Sequence, residues 1–321
     1  MSTQTVTPTT SSEIGGGAKK PPVPKRTRHS FGHWLRHNSW RHVVAWVVLI
    51  FALLPIVWVV SAAFTPNATL SASSIIPAHP SLQNFRMLFN PAKYDKQYAG
   101  AVFYVRWYVN TLFVAIFAGF FSVLLSTLAA YAFSRFRFKG RQVGMLSLLI
   151  VQMFPSALAL VAIYLILDQI QTVYPAIGLG TLWGLILVYM GGALGANTWL
   201  LKGFFDTIPV ELDESARVDG GSHAQIFWLV ILPLASPILA VVFLLSFIGL
   251  VNEFIVASIV LGDPKKFTLA LGLQGYINGQ YTNHWGPFAA GAILASIPAI
   301  VLFFFLQRYI IQGLTAGSVK G

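Results

Sequence analysis

Cysteine is absent from this chain of 321 residues, and charged residues make up only 10% of it. The absence of cysteine excludes a disulfide framework, a thiolate nucleophile and a cysteine metal site. An ordinary soluble domain carries about 25% charged residues, whereas this chain is 56% hydrophobic with a mean hydropathy of +0.69. The composition therefore predicts an all-α protein that crosses a membrane several times.

The motifs of common catalytic and nucleotide-binding sites are also missing. The sequence contains no G-x-x-x-x-G-K-[ST] phosphate loop, no H-E-x-x-H zinc motif and no G-x-S-x-G nucleophile motif. Its seven histidines lie outside the apolar runs, and no acid or base lies in the middle of one. These absences argue against a membrane-embedded enzyme and against a proton-coupled pump. We expect no catalytic residue, metal or cofactor in this chain.

Gaps between charged residues divide the chain into six apolar runs. Each run is long enough for one helix of about 20 residues across a bilayer, and we predict spans near residues 43–64, 108–133, 144–167, 180–201, 229–251 and 288–307. Of the 21 Lys and Arg residues, 15 lie on the side that carries both termini and 6 on the other. Because cytoplasmic loops are rich in Lys and Arg, we predict cytoplasmic termini.

The segments around the spans complete the predicted organisation. Residues 1–42 are rich in Ser, Thr, Pro and Gly and then basic, which predicts a disordered cytoplasmic tail. Residues 43–106 hold the first span and an external loop with a short helix near Leu82–Phe89. Residues 107–312 form a core with the other five spans, and residues 313–321 form a cytoplasmic tail.

The most polar interior stretch, residues 204–228, lies between the fourth and fifth spans and holds five of the ten acidic residues. Pro209 suits a first helical turn, because its missing N–H costs no hydrogen bond there. We predict a helix over Val210–Val218, ended by Gly220, and a second helix that Ser222 begins with a capping box. A short, rigid cytoplasmic element of this kind is suited to bind in a pocket on another protein.

This stretch resembles the EAA loop of permease subunits of bacterial ATP-binding-cassette (ABC) importers. The resemblance lies in Glu214-Ser215-Ala216, Gly220 and Leu232-Pro233, although Ser215 replaces the commoner Ala. The second span, from Asn110-Thr111-Leu112 to Ser134-Arg135, and the last residues, Gln307 to Gly321, also resemble this family. The similarity covers most of residues 107–321 and extends to the smaller membrane subunit of maltose/maltodextrin importers.

The resemblance implies a six-helix type I importer permease in the bacterial cytoplasmic membrane. Its implied partners are a second permease subunit, two cytoplasmic ATP-binding subunits and an extracellular sugar-binding protein, with no nucleic acid. ATP would be bound by the partner subunits, which leaves this chain non-catalytic. Contact with the ATPase is then assigned to Glu211, Glu214, Ser215, Ala216, Asp219 and Gly220. Among these, Glu214 is the expected salt-bridge residue.

Polar residues in the spans and at the end of the fifth span give a candidate translocation path, which comprises Gln152, Ser156, Asn197, Asn252 and Glu253. Because a buried amide in lipid needs a partner, interhelical hydrogen bonding is the open alternative for the third and fourth spans. For Glu253 the alternative is an ordinary interfacial carboxylate. Asn252-Glu253-Phe254 resembles an N-E-F sequence in sugar-importer permeases.

The external segment 262–287 is predicted to hold a short helix over Phe267–Ile277. In the smaller maltose permease the corresponding loop reaches into the sugar-binding protein. The resemblance therefore implies binding-protein contacts at Gln274, Tyr276, Tyr281 and Trp285, whereas a re-entrant cap over the helices is the alternative. The beginning of the fifth span is predicted to be kinked by Leu232-Pro233 and Pro237.

The resemblance makes maltose and maltodextrins the expected substrates. Trehalose or another sugar remains open, because no sugar site is visible in the sequence. An ion-coupled secondary carrier that works alone is the alternative from a different class.

Overall fold

The computed structural model describes residues 31–66, 68–69, 76–94, 103–278 and 284–316, and these residues form helices and connecting loops with no strand. A π-helical turn lies at Phe227–Ile231 and a 3₁₀ turn at Pro264–Lys266. The α-helices are α1 (Phe31–Phe64), α2 (Gln83–Phe89), α3 (Pro91–Tyr94), α4 (Tyr104–Arg135), α5 (Arg141–Met153), α6 (Ser156–Val173), α7 (Leu182–Phe205), α8 (Glu211–Val218), α9 (His223–Ile226), α10 (Leu232–Leu234), α11 (Ser236–Asn252), α12 (Ile255–Val260), α13 (Leu269–Gln274) and α14 (Trp285–Ala316).

The chain divides into two units, residues 1–53 and 54–321. In the first unit, residues 40–53 of α1 are exposed all round the helix. A helix that is apolar on every side suits lipid or another membrane helix rather than water. The second unit contains the end of α1 from residue 54 onward, the remaining helices and all the candidate site residues.

Three unbroken helices are long and apolar enough to cross a membrane: Trp40–Phe64, Tyr104–Arg135 and Trp285–Tyr309. Three pairs of helices are long and apolar enough only when each pair is taken together, and each pair is bent at a short break. These pairs are Arg141–Met153 with Leu158–Val173 at 104°, Leu182–Gly192 with Leu194–Phe205 at 47°, and His223–Leu234 with Ser236–Asn252 at 75°. The described residues thus hold three crossings, or up to six if each bent pair is one span, which agrees with the six predicted runs.

Two of the bends lie at proline. Between α5 and α6, Phe154 has an extended backbone (φ −70°, ψ 130°), because the residue before a proline is pushed out of the helical region. The segment predicted as one span over 144–167 is therefore bent between the two helices α5 and α6. The 75° bend between α10 and α11 confirms the predicted kink near Pro233 and Pro237, neither of which has an N–H to continue the helix.

Helix α4 lies at the centre of the second unit and packs along α7 and α11, while α11 also packs on α14. Small residues on α4 allow this close approach. A Cβ atom added at Gly119 would lie 3.3 Å from the ring of Phe243 on α11, and Ser122, Ser126 and Ala130 are buried. These small residues are thus helix contacts.

A second core joins the external-loop helices to the ends of the long ones. Buried residues of α1, α2, α4, α13 and α14 form one apolar cluster that includes Trp107 and Tyr276. The buried amide of Asn84 on α2 donates to the carbonyl oxygens of Ala63 and Thr65, each at 2.9 Å. The short helices expected near Leu82–Phe89 and within Phe267–Ile277 are present as α2 and α13.

This second core has a tight contact that can be tested by overpacking. A Cβ atom at Gly272 would come within 2.3 Å of the Trp107 ring, whereas one at Gly203 of α7 meets nothing within 4 Å. We expect Gly272→Ala to lower the free energy of unfolding by about 1–3 kcal/mol. Gly203→Ala, the control, should be neutral or stabilising. Thermal unfolding in detergent measures both variants, and equal melting temperatures would contradict this packing.

Candidate coupling site and polar path

Helix α8 forms the predicted cytoplasmic element and begins at Glu211, one residue later than expected. The preceding turn is already closed, because the Leu212 amide donates to the Pro209 carbonyl (3.4 Å) and the Glu214 amide to the Val210 carbonyl (3.1 Å). The helix ends where Gly220 adopts φ +87°, a left-handed conformation that favours glycine. The predicted turn at Gly220 is thus confirmed.

The next helix, α9, begins with the predicted capping box. The Ser222 hydroxyl accepts from the Gln225 amide at 3.3 Å, and the Gln225 side chain accepts from the Ser222 amide at 2.8 Å. Helix α9 runs into the π turn Phe227–Ile231 and then into α10. A rigid turn is therefore joined directly to the bent crossing α10–α11.

The two faces of α8 differ in character. Its exposed face carries Glu211, Glu214 and Ser215, and Asp219 beyond its end is also exposed. The inner face carries Ala216, which packs on the cluster of Phe205, Ile208, Ile226 and Phe227. Of the predicted coupling residues, Ala216 thus faces the helix bundle, while the acidic ones face away from it.

Asp213 is the exception among the acids of α8, because it is only 3% exposed. Its carboxylate lies 2.7 Å from Nε of Arg135, the last residue of α4, and both side chains are buried. Arg135 also donates through Nη2 to the carbonyl oxygen of Ile208 at 2.9 Å. Arg135 therefore ties the end of α4 both to α8 and to the loop before it.

A second contact ties the same end of α4 to the beginning of the loop. Ser134 donates to one carboxylate oxygen of Asp206 at 2.7 Å, and Lys202 donates to the other at 2.5 Å. Partial burial raises the pKa of Asp206, but hydrogen bonds from Lys202 and Ser134, together with nearby positive charge, outweigh it and hold this pKa below its ordinary value. Two adjacent residues of α4 thus hold the loop at Asp206 and at Asp213, and we call these contacts the α4 clamp.

The sequence analysis missed this role of Arg135 and Asp213. Arg135 has an ordinary explanation as a positive-inside residue, and Asp213 as an acid in a first helical turn. One local signal was available: Asp213 precedes Ala216 by three residues, so the two share one helix face. The face that packs against the bundle therefore had to contain a carboxylate, which needs a cationic partner when buried.

The candidate path residues do not share one contact network among the described contacts. Asn197 on α7 donates to Ser122 on α4 (3.3 Å) and Ser246 on α11 (3.2 Å), which is the interhelical bonding named as the alternative. Gln152 is exposed and donates within its own helix to the Leu148 carbonyl (3.0 Å). The side chain of Ser156 lies outside the described residues.

Asn252 and Glu253 lie together where α11 ends, but their side chains have different roles. The Glu253 carboxylate accepts from the Tyr189 hydroxyl and from the backbone amides of Val256 (2.8 Å) and Ala257 (3.2 Å). Glu253 thus fixes the beginning of α12. Asn252 is exposed and donates to the Ile248 carbonyl at 2.8 Å.

The predicted binding-protein contacts require one correction. Tyr276 is only 1% exposed and lies inside the second core, so its side chain is not available to another protein in this conformation. Gln274 is half-buried, and Trp285 packs edge-to-face on Phe288. Tyr281 lies outside the described residues, as do residues 1–30 and 317–321.

The chain is similar to known membrane transport proteins. Residues 122–316 match the family described as binding-protein-dependent transport system inner membrane component. The chain is 41% identical over 295 residues to the maltose/maltodextrin transport system permease protein of Vibrio vulnificus, which spans 90% of this chain and 98% of that protein. It is also 41% identical over 272 residues to the galactooligosaccharides transport system permease protein of Bacillus subtilis, with 85% and 92% covered.

A solved structure shares the fold. A chain of a bacterial ABC transporter involved in the import of the acidic polysaccharide alginate superposes with a TM-score of 0.69 at 22% identity, over 90% of this chain and 99% of that one. This likeness shows that the two chains share one overall fold.

The α4 clamp predicts a stability effect that depends on charge pairing. Asp213→Asn should lower the free energy of unfolding by about 3–5 kcal/mol, because it leaves Arg135 buried without its counter-ion. Glu211→Gln, an exposed carboxylate on the same helix, is the matched control and should change stability by no more than about 0.5 kcal/mol.

The Asp213→Asn effect is checked by denaturant or thermal unfolding of the purified chain. Combining Asp213→Asn with Arg135→Gln should recover part of the loss, since neither buried charge then remains unpaired. Strictly additive losses in the double variant would contradict a direct ion pair.

Proposed function

The chain belongs to the family of binding-protein-dependent transport system inner membrane components, and on this premise we propose that it passes maltodextrin-type oligosaccharides through an ATP-driven importer. It is a multi-pass membrane protein and a permease subunit. In this proposal it lies in the bacterial cytoplasmic membrane with both termini and α8 in the cytoplasm, as the Lys and Arg distribution favours.

The substrate class is supported by the relatives. The chain is as similar to a galactooligosaccharides permease as to a maltose/maltodextrin permease, at 41% identity in each case. Both names denote neutral oligosaccharides, so galactooligosaccharides are the second candidate substrate. The measured sugar preference of the assembled importer decides between them.

The proposed partners are a second permease, a pair of cytoplasmic ATP-binding subunits and an external sugar-binding protein. ATP is bound by the ATP-binding subunits, and this chain is non-catalytic. The coupling role is supported by the difference between the two faces of α8. The inner face is bound to α4 through the Asp213–Arg135 pair, whereas the outer face exposes Glu211 and Glu214.

The mechanism follows from these attachments. When the ATPase pair closes, α8 moves with the cleft that receives it, and Glu214 pairs there with a basic residue. Arg135 and Ser134 transmit the displacement to α4, because they hold the loop at both of its ends. Helix α4 packs on α7 and α11, so the crossing helices rearrange between an inward-facing and an outward-facing cavity.

Reversing the charge of Glu214 tests the coupling role. We expect Glu214→Lys to lower sugar uptake more than tenfold, since a lost charge pair in an interface costs about 2–5 kcal/mol and about 1.4 kcal/mol corresponds to one factor of ten. Binding-protein-stimulated ATP hydrolysis should fall with it or become independent of uptake. Both are measured in proteoliposomes that contain the complete importer.

Asp168→Lys is the matched control, because Asp168 is an exposed acid on α6, away from α8. It should transport at the wild-type rate. Wild-type uptake by the Glu214→Lys importer would contradict the coupling role. ATP-independent uptake by this chain alone would instead support the secondary carrier.

A further inference from the structure

A cavity of about 450 Å³ lies where the end of α11 meets α13 and α14. Its polar and aromatic lining residues are Asn252, Phe254, Gln274, Phe288 and Ser296, and the remaining lining residues are aliphatic. This volume is within the range of small-molecule sites, about 300–1,000 Å³. The sequence analysis assigned Asn252 to a path and Gln274 to a protein contact, but the structure places both at one cavity.

The lining selects a class of ligand by its chemistry. The two amides each offer hydrogen-bond donors and an acceptor, and Ser296 adds a hydroxyl. Two phenyl rings and the aliphatic residues supply apolar surface, and none of the lining residues carries a charge. A neutral molecule with several hydroxyl groups and apolar C–H faces fits this combination, and a sugar ring is such a molecule.

Hydrogen bonds of Glu253 hold one wall of the cavity in place. Asn252 and Phe254 line the cavity, whereas Glu253 between them bonds to the Tyr189 hydroxyl and to two amides of α12. These bonds fix the break between α11 and α12, and with it the positions of the two neighbouring residues. A site whose supporting residues are bonded in this way is more exact than one on a free loop. Glu253 is thus a positioning residue for the cavity.

The cavity lies at the opposite end of α11 from the coupling element. Helix α11 has 17 residues, which corresponds to about 25 Å at 1.5 Å per residue. With α8 in the cytoplasm, the cavity is near the external surface, and α13 forms one side of it. A sugar handed over from outside reaches this cavity before it meets the middle of the bundle.

We propose that this cavity receives one sugar ring of the transported oligosaccharide at entry, through the amides of Asn252 and Gln274. The proposal rests on the proposed function, since it takes the transported sugar as occupant. The other occupants of an open membrane cavity are a lipid chain and a helix of the partner permease, and the test distinguishes them.

Because the chain has no cysteine, a single introduced thiol reports on the cavity. Ser296→Cys places the thiol in the cavity, and Ser258→Cys on α12 is the matched control outside the cavity lining. Both serines are exposed, and each hydroxyl donates to the carbonyl three residues earlier at 2.7 Å. Ala299→Cys, another lining position, serves if Ser296→Cys does not assemble.

The assembled importer in nanodiscs is labelled with a water-soluble maleimide, with and without maltotriose or galactotriose, and labelling is measured on the band of this chain. We expect the transported sugar to slow labelling of Ser296→Cys about tenfold at ten times its dissociation constant, by mass action. The rate at Ser258→Cys should not change. Asn252→Leu in the Ser296→Cys background should abolish the protection.

Three results would overturn the proposal. Equal labelling with and without a sugar that the same importer transports means that the cavity stays empty during transport. If Ser296→Cys is labelled in the isolated chain but not in the assembled importer, the partner permease occupies the cavity. If Ser296→Cys reacts only with a lipid-soluble maleimide, lipid occupies the cavity. Separately, a wild-type importer that takes up neither trisaccharide contradicts the proposed function itself.

Discussion

The buried pair of Arg135 and Asp213 is the constraint on which the rest of the arrangement depends. Two charges removed from water are costly unless they neutralise each other, and Arg135 also donates a hydrogen bond to the Ile208 carbonyl. The pair therefore fixes which face of α8 turns inward. Glu211 and Glu214 are left outward as a consequence, and the chain presents an acidic surface without losing its attachment to the bundle.

The sequence predicted the local features of the fold and missed those that join distant segments. Gly220, Ser222 and Pro233 determine their own backbone geometry, so the turn, the capping box and the kink were accessible from neighbouring residues alone. The Arg135–Asp213 pair was not, because each residue has an ordinary local explanation and only the packing of α4 against α8 brings them together. The six apolar runs were recognised, but Pro155, which directly precedes α6, introduces a bend into one of them.

The same distinction applies at the external end. The resemblance implied that Tyr276 contacts a binding protein, and the sequence predicted a short helix over Phe267–Ile277 without showing what that helix packs against. In the structure α13 packs against Trp107 with Gly272 at the contact, and this packing carries Tyr276 into the core. Asn252 and Gln274 were singled out individually, whereas their common cavity depends on the meeting of three helices that no periodicity reveals.

The bend at Pro237 has a mechanical consequence for this permease fold. In a continuous helix, changing the angle between two halves stretches or breaks amide-to-carbonyl bonds on one side. Pro237 supplies no amide to the carbonyl four residues before it, so one bond that would resist a change of angle is absent at this corner, while the Ala235 amide still donates to the Ile231 carbonyl at 2.9 Å. The corner lies between the turn that meets the ATPase in our proposal and the helix that reaches the cavity, so a change of angle between the two disrupts one hydrogen bond fewer than in a continuous helix.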